Sequence, residues 1–261
     1  MHTYYFFRAR FPCLTEAISF FSRFSLLAML IALPNSALAV TEDDVVDFLN
    51  ADPSFLSRHP EILEQASRYE QLSRKKKSRA KRAKVLSESQ GLIEKFQFKA
   101  ESLDNRGKTV IAFMDYDCIP CRHDRLEHES ASGPAERAEI IQVPIGIMSS
   151  TSAQAVRLLL TLLAEDRRRA SSFHKDLLSA RLPLTYAAIT RTAAKNGIPE
   201  KDLETRLRNE RASDELKHIQ ELAVALGVEG TPAYLSGCEL VKGRAGLDML
   251  IESWTDCIEV Q

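Results

Sequence analysis

Two short motifs more than a hundred residues apart restrict what this chain can fold into. The first, Cys-Ile-Pro-Cys at 118–121, directly follows the apolar run 110–114. A strand that leads into two cysteines one helical turn apart places a dithiol at the start of a helix. The second, Thr-Pro at 231–232, enters another apolar run. Together, in this order, the two motifs make thiol–disulfide exchange the leading hypothesis.

The first 39 residues have the composition of a secretory signal peptide. Residues 8–23 carry three arginines and one glutamate, residues 26–33 are apolar, and small residues at 37 and 39 precede a cleavage point. The apolar stretch is shorter than the ~20 residues that a membrane-spanning helix needs, which disfavours the alternative of a membrane anchor. We therefore expect residues 1–39 to be removed on export.

The mature chain would begin near Val40 and keep four of the five cysteines, an even number that fits disulfide chemistry in an exported protein. The full chain has a formal net charge of −1, and losing three arginines and one glutamate leaves −3. Such a small charge implies no polyanionic partner, so no nucleic acid is expected. A hydrophobic content of 44% allows a full core with a small appendage.

Residues 40–96 are predicted to form an extended helical region ahead of the catalytic body. Thr41 and Asp44 have the spacing of a capping box. Residues 74–84 carry eight positive charges, a run that repels itself and would weaken an isolated helix. Residues 41–69 cannot bury an apolar stripe alone, so we interpret them as an association segment with the basic run as a tether. The alternative is a solvated helix face or a flexible linker.

The catalytic body, residues 97–261, is predicted to be α/β. Helical periodicity dominates an insertion at about 150–227, and a closing helix is expected over 247–257. The expected strands are 108–114, 140–145, 233–235 and 240–241.

These motifs resemble the DsbA-like branch of the thioredoxin superfamily. Residues 113–121 are similar to its Phe-x-Asp-Tyr-x-Cys-x-x-Cys, and residues 223–233 to its cis-proline region. Residues 41–96, with His-Pro-Glu-Ile at 59–62, are similar to the N-terminal extension of the suppressor of copper sensitivity protein C (ScsC-like) group. That group consists of periplasmic enzymes and includes oligomeric disulfide isomerases. The resemblance implies a thioredoxin-like fold with an inserted helical domain, preceded by an N-terminal helical extension.

The four residues of the two motifs have distinct expected roles. Cys118, at the helix N-terminus, is expected to be the nucleophilic thiolate, because free N–H groups and the helix dipole favour its charge. Cys121 is expected to be less exposed and to resolve the mixed disulfide. Thr231 and cis-Pro232 would bind an extended substrate strand. The resemblance associates a threonine before this proline with isomerases and reductases.

The spacer between the cysteines is expected to tune the redox couple. Ile119 offers the thiolate no hydrogen bond, Pro120 sits where a missing N–H costs little, and Asp117 opposes ionisation. We therefore expect a less oxidising couple than that of the strong DsbA oxidants. The Ile-Pro spacer departs from the Pro-Tyr that the ScsC-like group often has.

A structural disulfide between Cys238 and Cys257 is expected from the implied fold. There, the hairpin after Pro232 and the end of the closing helix would share one pole, remote from the dithiol. Two unpaired thiols are the alternative.

The sequence thus predicts a periplasmic thiol–disulfide oxidoreductase, specifically an oligomeric disulfide isomerase. A monomeric DsbA-like oxidase or reductase and a non-enzymatic copper(I)-binding protein are the alternatives, since two thiolates suit a soft ion. His123 and His128 lie too close to the dithiol for a zinc finger, and His174 is interpreted as a packed core histidine. No metal or cofactor is expected. The expected partners are exported proteins with thiols or disulfides, a membrane redox partner and further copies of the chain.

Overall fold

The computed structural model describes residues 40–98, 108–129, 138–254 and 257. The predicted signal peptide, 1–39, lies outside these residues. The chain divides into two compact units, Met1–Gln65 and Ala66–Gln261, which we describe separately. No helix in the described ranges is both long enough and apolar enough to cross a membrane.

The first unit contains helix α1 (Glu42–Ala51), the short helix α2 (Phe55–Arg58) and the start of helix α3 (Pro60–Glu94). The predicted capping box at the start of α1 is confirmed. The amide of Asp44 donates to Thr41 Oγ1 at 3.2 Å, and the amide of Thr41 donates to the Asp44 carboxylate at 2.9 Å. These two bonds satisfy two of the amides that a helix start leaves without partners.

In the second unit, helix α3 carries the basic run onto the catalytic body. Arg79 Nε and Lys75 Nζ lie 2.8 and 3.2 Å from the two carboxylate oxygens of Glu239. Arg82 Nε donates to the carbonyl oxygen of Cys238 at 2.8 Å. Burial acts to raise the pKa of Glu239, but the hydrogen bonds from Arg79 and Lys75 outweigh it and hold that pKa below its usual value. The sequence predicted only a tether or a solvated face for the basic run. Three of its cations instead bind a part of the chain that is distant in sequence.

A four-stranded mixed sheet lies at the centre of the second unit, in the order β2-β1-β3-β4. Its strands are β1 (Thr109–Met114), β2 (Glu139–Pro144), β3 (Ala233–Ser236) and β4 (Glu239–Lys242). β1 runs parallel to β2 and antiparallel to β3. The parallel pair needs a crossover, which includes a helix, whereas β3 and β4 form a hairpin.

Five helices separate β2 from β3 and form the predicted insertion, so the predicted α/β class with a helical insertion is confirmed. The crossover helix is α4, the insertion holds α5 to α9, and α10 closes the fold. Their bounds are α4 Ile119–Glu129, α5 Ser150–Glu165, α6 Arg167–Leu178, α7 Tyr186–Lys195, α8 Glu200–Leu207, α9 Glu210–Leu226 and α10 Leu247–Glu252. Helix α10 ends earlier than predicted, so Cys257 lies beyond it rather than at its last turn.

The core occupies both faces of the sheet, because successive side chains of β1 point to opposite sides. Phe113 belongs to the larger cluster, which the insertion covers, and Ala112 belongs to the smaller cluster beneath α10. The last turn of α3 and the residues just after it also enter the larger cluster, where Ile93 and Phe96 are 5% and 1% exposed. The predicted domain boundary at residue 96 therefore falls within this packing.

A disulfide joins Cys238, buried at the tip of the β3–β4 hairpin, to Cys257. The two Cα atoms lie 5.2 Å apart, within the range that disulfides span. The bond closes a loop with a sequence separation of 19 residues at the hairpin that α3 contacts.

We expect removal of this disulfide to lower the free energy of unfolding by about 3 kcal/mol, the loop-entropy value for a loop of this length. Urea unfolding of a Cys238→Ser, Cys257→Ser double variant measures this loss. The matched control is Cys118→Ser, Cys121→Ser, which opens a much smaller loop.

Thiol counting in denaturant after mild reduction should find two thiols, from Cys118 and Cys121. Four thiols would contradict the bridge.

Candidate dithiol active site

Cys118 and Cys121 form a disulfide at the N-terminus of α4, with their Cα atoms 5.3 Å apart. Cys118 lies just before the first helical residue, Ile119, and the amide of Cys121 points at Cys118 Sγ at 3.1 Å. When the bond is reduced, this N–H and the positive end of the helix dipole stabilise a thiolate on Cys118. This is the geometry that the expected nucleophilic role of Cys118 requires.

Exposure does not separate the two cysteines as expected. Cys118 is 0% and Cys121 6% exposed, so the expectation that Cys121 is the less exposed residue is wrong for this oxidised state. The disulfide holds both cysteines against the core. The positions of the two cysteines in the sequence do not show this burial. Ile119, by contrast, is 58% exposed, so an apolar side chain beside the dithiol is accessible from outside.

The buried carboxylate of Asp115 organises the turn before the dithiol. It accepts hydrogen bonds from the amides of Asp117, Ile147 and Met148, at 2.9, 2.7 and 3.1 Å. A carboxylate with no exposed surface is stable only when such donors replace water. Gly146 lets the same loop approach α5, because its φ is +58° and a Cβ there would meet Ala153 Cα at 2.9 Å.

Two further side chains join the dithiol to the helical insertion. Asp117, expected only to oppose ionisation of Cys118, accepts from the amide of Leu184 at 2.6 Å and from the Ser149 hydroxyl. On the other side of the dithiol, Arg122 donates to the carbonyl oxygens of Tyr116, at 2.7 Å, and of Ala180. Asp115 and Arg122 were missed as site residues by sequence reasoning, although Asp115 is part of the Phe-x-Asp-Tyr motif.

The second motif lies at the same edge of the sheet as the dithiol. The Thr231–Pro232 peptide is cis, and the antiparallel pairing of β1 with β3 sets Phe113 opposite Ala233. Pro232 and Cys121 therefore line one small pocket. The Thr231 hydroxyl lies 3.6 Å from the sulfur of Met148, and its backbone N–H and C=O have no partner in the part of the chain described. Those two groups are free to pair with an extended peptide.

His174 is a packed residue rather than a base, as interpreted from the sequence. Its Nδ1 lies 2.8 Å from the Tyr116 hydroxyl and its Nε2 lies 2.8 Å from Gln142 Oε1. Burial lowers the pKa of His174 to about 3, so the ring stays neutral and its Nδ1 accepts a hydrogen bond from the Tyr116 hydroxyl. Burial also raises the pKa of Tyr116 well above its usual value, so this hydroxyl remains a donor.

The four residues weighed as zinc ligands do not converge. His128 Nε2 donates to the carbonyl oxygen of Ala245 at 2.9 Å, while His123 is exposed. Over the described ranges, no group of three or more His, Cys, Asp or Glu side chains has the arrangement of a metal site.

A dithiol at a helix N-terminus, facing a cis-proline from a neighbouring strand, defines a thiol–disulfide oxidoreductase with a thioredoxin-like fold. Residues 132–253 match the family model of the DSBA-like thioredoxin domain, a match that begins after the dithiol. This part of the chain is therefore similar to the DsbA-like thioredoxin domain, in agreement with the resemblance that the sequence motifs predicted.

Solved structures of related fold include ScsC proteins, which confirms the predicted resemblance at the level of the fold. A linker-deletion mutant of Proteus mirabilis ScsC, which also carries one substitution, is 23% identical, with a TM-score of 0.56 over 84% of this chain and 95% of that chain. The ScsC catalytic domain from the same organism is 20% identical, with a TM-score of 0.52 over 64% and 93%. The thiol–disulfide exchange protein α-DsbA2 from Wolbachia pipientis is 20% identical, with a TM-score of 0.54 over 72% and 98%. No curated protein matches this chain in sequence.

We expect Cys118 alone to trap substrates. A Cys121→Ala variant should accumulate mixed disulfides, whereas Cys118→Ala should accumulate few, because Cys118 is the cysteine that lies at the helix N-terminus. Non-reducing electrophoresis with mass spectrometry of the adducts measures this, and the variant lacking both cysteines is the control. Equal trapping by the two single variants would contradict the assignment.

We expect the neutral His174 to make stability depend on pH. Its folded-state pKa, about 3, lies below the 6.5 of an ordinary histidine. Between these two pH values, the unfolded chain binds a proton at this histidine and the folded chain does not. The stabilisation is complete above pH 6.5 and declines, by up to about 1.4 kcal/mol per pH unit, as the pH falls towards 3. Urea unfolding at pH 7, 6, 5 and 4 should show a shallower slope for His174→Gln than for the parent. Parallel slopes would contradict this prediction.

Proposed function

We propose that this protein is a periplasmic disulfide isomerase that works as a homo-oligomer. The observation that carries the proposal is that the N-terminal helices leave apolar surface uncovered in a chain whose second unit holds a complete dithiol site. Assembly would bring several dithiols to one misfolded substrate. The predicted signal peptide supports the location, and exported proteins with incorrect disulfides would be the substrates.

The N-terminal unit has more apolar surface than it can bury. Helix α1 has no buried residue among those described, and Val46, Phe48 and Leu63 are each 49–50% exposed. Phe48 finds one contact inside the unit, an edge-on approach to Phe55 with ring centroids 5.0 Å apart. An amphipathic helix of this kind gains most of its stability by packing its apolar face. A second copy of the same segment would supply that packing.

The chemistry of isomerisation needs a reduced dithiol and no net electron transfer. The Cys118 thiolate attacks one sulfur of an incorrect disulfide, the S–S bond breaks, and the second substrate sulfur leaves as a thiolate. That thiolate attacks another substrate disulfide, and the last substrate thiolate in the series releases Cys118 in its reduced form. When the dithiol is oxidised instead, Cys121 takes part, and a membrane redox partner would return the two electrons. Tethering several dithiols raises their effective concentration at one substrate.

A monomeric DsbA-like oxidase or reductase is the second candidate. One observation favours it, since every described residue of the site lies in the second unit, Ala66–Gln261. Dithiol exchange therefore does not require the N-terminal unit. The two candidates differ in whether isomerase activity depends on assembly. Assembly can be removed by substitutions that leave the dithiol unchanged.

We expect a Val46→Glu, Leu63→Glu double variant to be monomeric, because charge at these positions opposes burial between copies. Its rate of refolding a scrambled multi-disulfide substrate should fall by about tenfold or more, the scale of lost effective concentration. Its reaction with a small disulfide should stay unchanged. Light scattering and the refolding assay measure both properties.

The matched control is Asn50→Glu, Gln65→Glu, which adds the same charge at exposed polar positions of the same unit. It should keep both assembly and isomerase activity. A parent protein that is already monomeric at micromolar concentration would contradict the oligomer. An oligomer whose loss leaves isomerisation intact would favour the oxidase or reductase.

A further inference from the structure

A groove in the helical insertion lies between the end of α6, the loop 179–185 and α7. Its cavity volume is about 650 Å³, within the range of ligand pockets. Ala188 and Thr192 form a buried floor, while Arg181, Arg191 and Lys195 stand exposed around it. None of these residues belongs to the dithiol site already described.

The groove is positively charged. Asp176 is the one carboxylate in its described lining, and it is held by Lys195 Nζ at 2.6 Å and by Asn196 Nδ2 at 2.9 Å. Arg181 and Arg191 have no carboxylate partner within ion-pair distance in the ranges that the structure covers. The lining therefore presents two guanidinium groups whose charge is not balanced locally.

The loop that forms one wall of the groove is attached to both sides of the dithiol. The amide of Leu184 donates to the carboxylate of Asp117, the residue before Cys118, at 2.6 Å. The carbonyl oxygen of Ala180 accepts from Arg122, the residue after Cys121. The wall of the groove is therefore fixed to the residues on either side of the dithiol.

We propose that this groove binds an acidic segment of the polypeptide whose cysteine reacts at Cys118, an inference that rests on the proposed function. Guanidinium groups bind carboxylates through paired hydrogen bonds, which a neutral segment cannot replace. The exposed apolar side chains of Ile119 and Met148 beside the dithiol accept many sequences, whereas Arg181 and Arg191 select by charge. The groove thus makes the enzyme prefer substrates with acidic residues near the reacting cysteine.

The test measures how fast Cys118 captures matched peptides. The full mature chain carrying Cys121→Ala reacts with cysteine peptides activated as thionitrobenzoate disulfides. The Cys118 thiolate attacks the peptide sulfur, the peptide–protein disulfide forms, and coloured thionitrobenzoate leaves. One peptide pair has four glutamates or four glutamines before the cysteine, and a second pair has them after it. The glutamate peptide of at least one pair should react about three to ten times faster, as two exposed ion pairs allow.

The dependence on salt and on two arginines assigns the preference to the groove. The glutamate-to-glutamine rate ratio should approach one in high salt and in an Arg181→Gln, Arg191→Gln variant. The control Lys201→Gln, Arg211→Gln removes the same charge from exposed positions on α8 and α9 and should keep the ratio. Equal rates for both peptide pairs, or a ratio that survives in the Arg181, Arg191 variant, would overturn the proposal.

A second measurement separates the groove from the dithiol chemistry. Fluorescence anisotropy of a cysteine-free glutamate peptide reports binding even if Cys118 proves unreactive, in which case the proposed function fails and the groove does not. Binding should weaken about three- to tenfold in Arg181→Gln, Arg191→Gln. The glutamate peptide could instead bind only after Glu42, Asp43 and Asp47 are replaced by the corresponding amides. That result would show that acidic residues of α1 compete for the groove, and it would overturn the substrate role.

Discussion

The antiparallel pairing of β1 with β3 is the constraint on which the site depends. It sets Phe113 opposite Ala233, so that the end of one strand and the start of the other meet at one edge of the sheet. The dithiol follows the first strand and cis-Pro232 precedes the second. A change of register by one residue would turn the side chains of β3 to the opposite face and separate the motifs. The helical insertion connects β2 to β3 along the chain. Both strands pair with β1, and the insertion interrupts neither pairing.

The insertion is part of the site because buried polar groups connect it to the dithiol. Asp115 gathers three amides from two segments of chain, and such a carboxylate holds both segments in one arrangement. Asp117 and Arg122 extend these connections to the loop before α7. Since charged hydrogen bonds of this kind are costly to leave unmade, the dithiol and the insertion should move together rather than independently.

Helix α3 contacts two separate parts of the catalytic body. Its basic run binds Glu239 and the carbonyl oxygen of Cys238, beside the second disulfide, and its end enters the core through Ile93 and Phe96. The positive charges would destabilise an isolated helix, and the Glu239 carboxylate partly neutralises them.

The sequence by itself determined the local features of this protein: the dithiol at a helix start, the cis-proline segment, the α/β class and the helical insertion. These depend on spacing, periodicity and capping, which act over a few residues. The tertiary structure alone decided that Asp115 anchors two loops, that Arg79 meets Glu239, that both active-site cysteines are buried and that Cys257 lies beyond α10. These features depend on residues brought together from distant positions, such as the pair Asp117 and Leu184. No periodic pattern marks contacts of this kind, because their energy comes from desolvation and hydrogen bonding that exist only once the chain has folded.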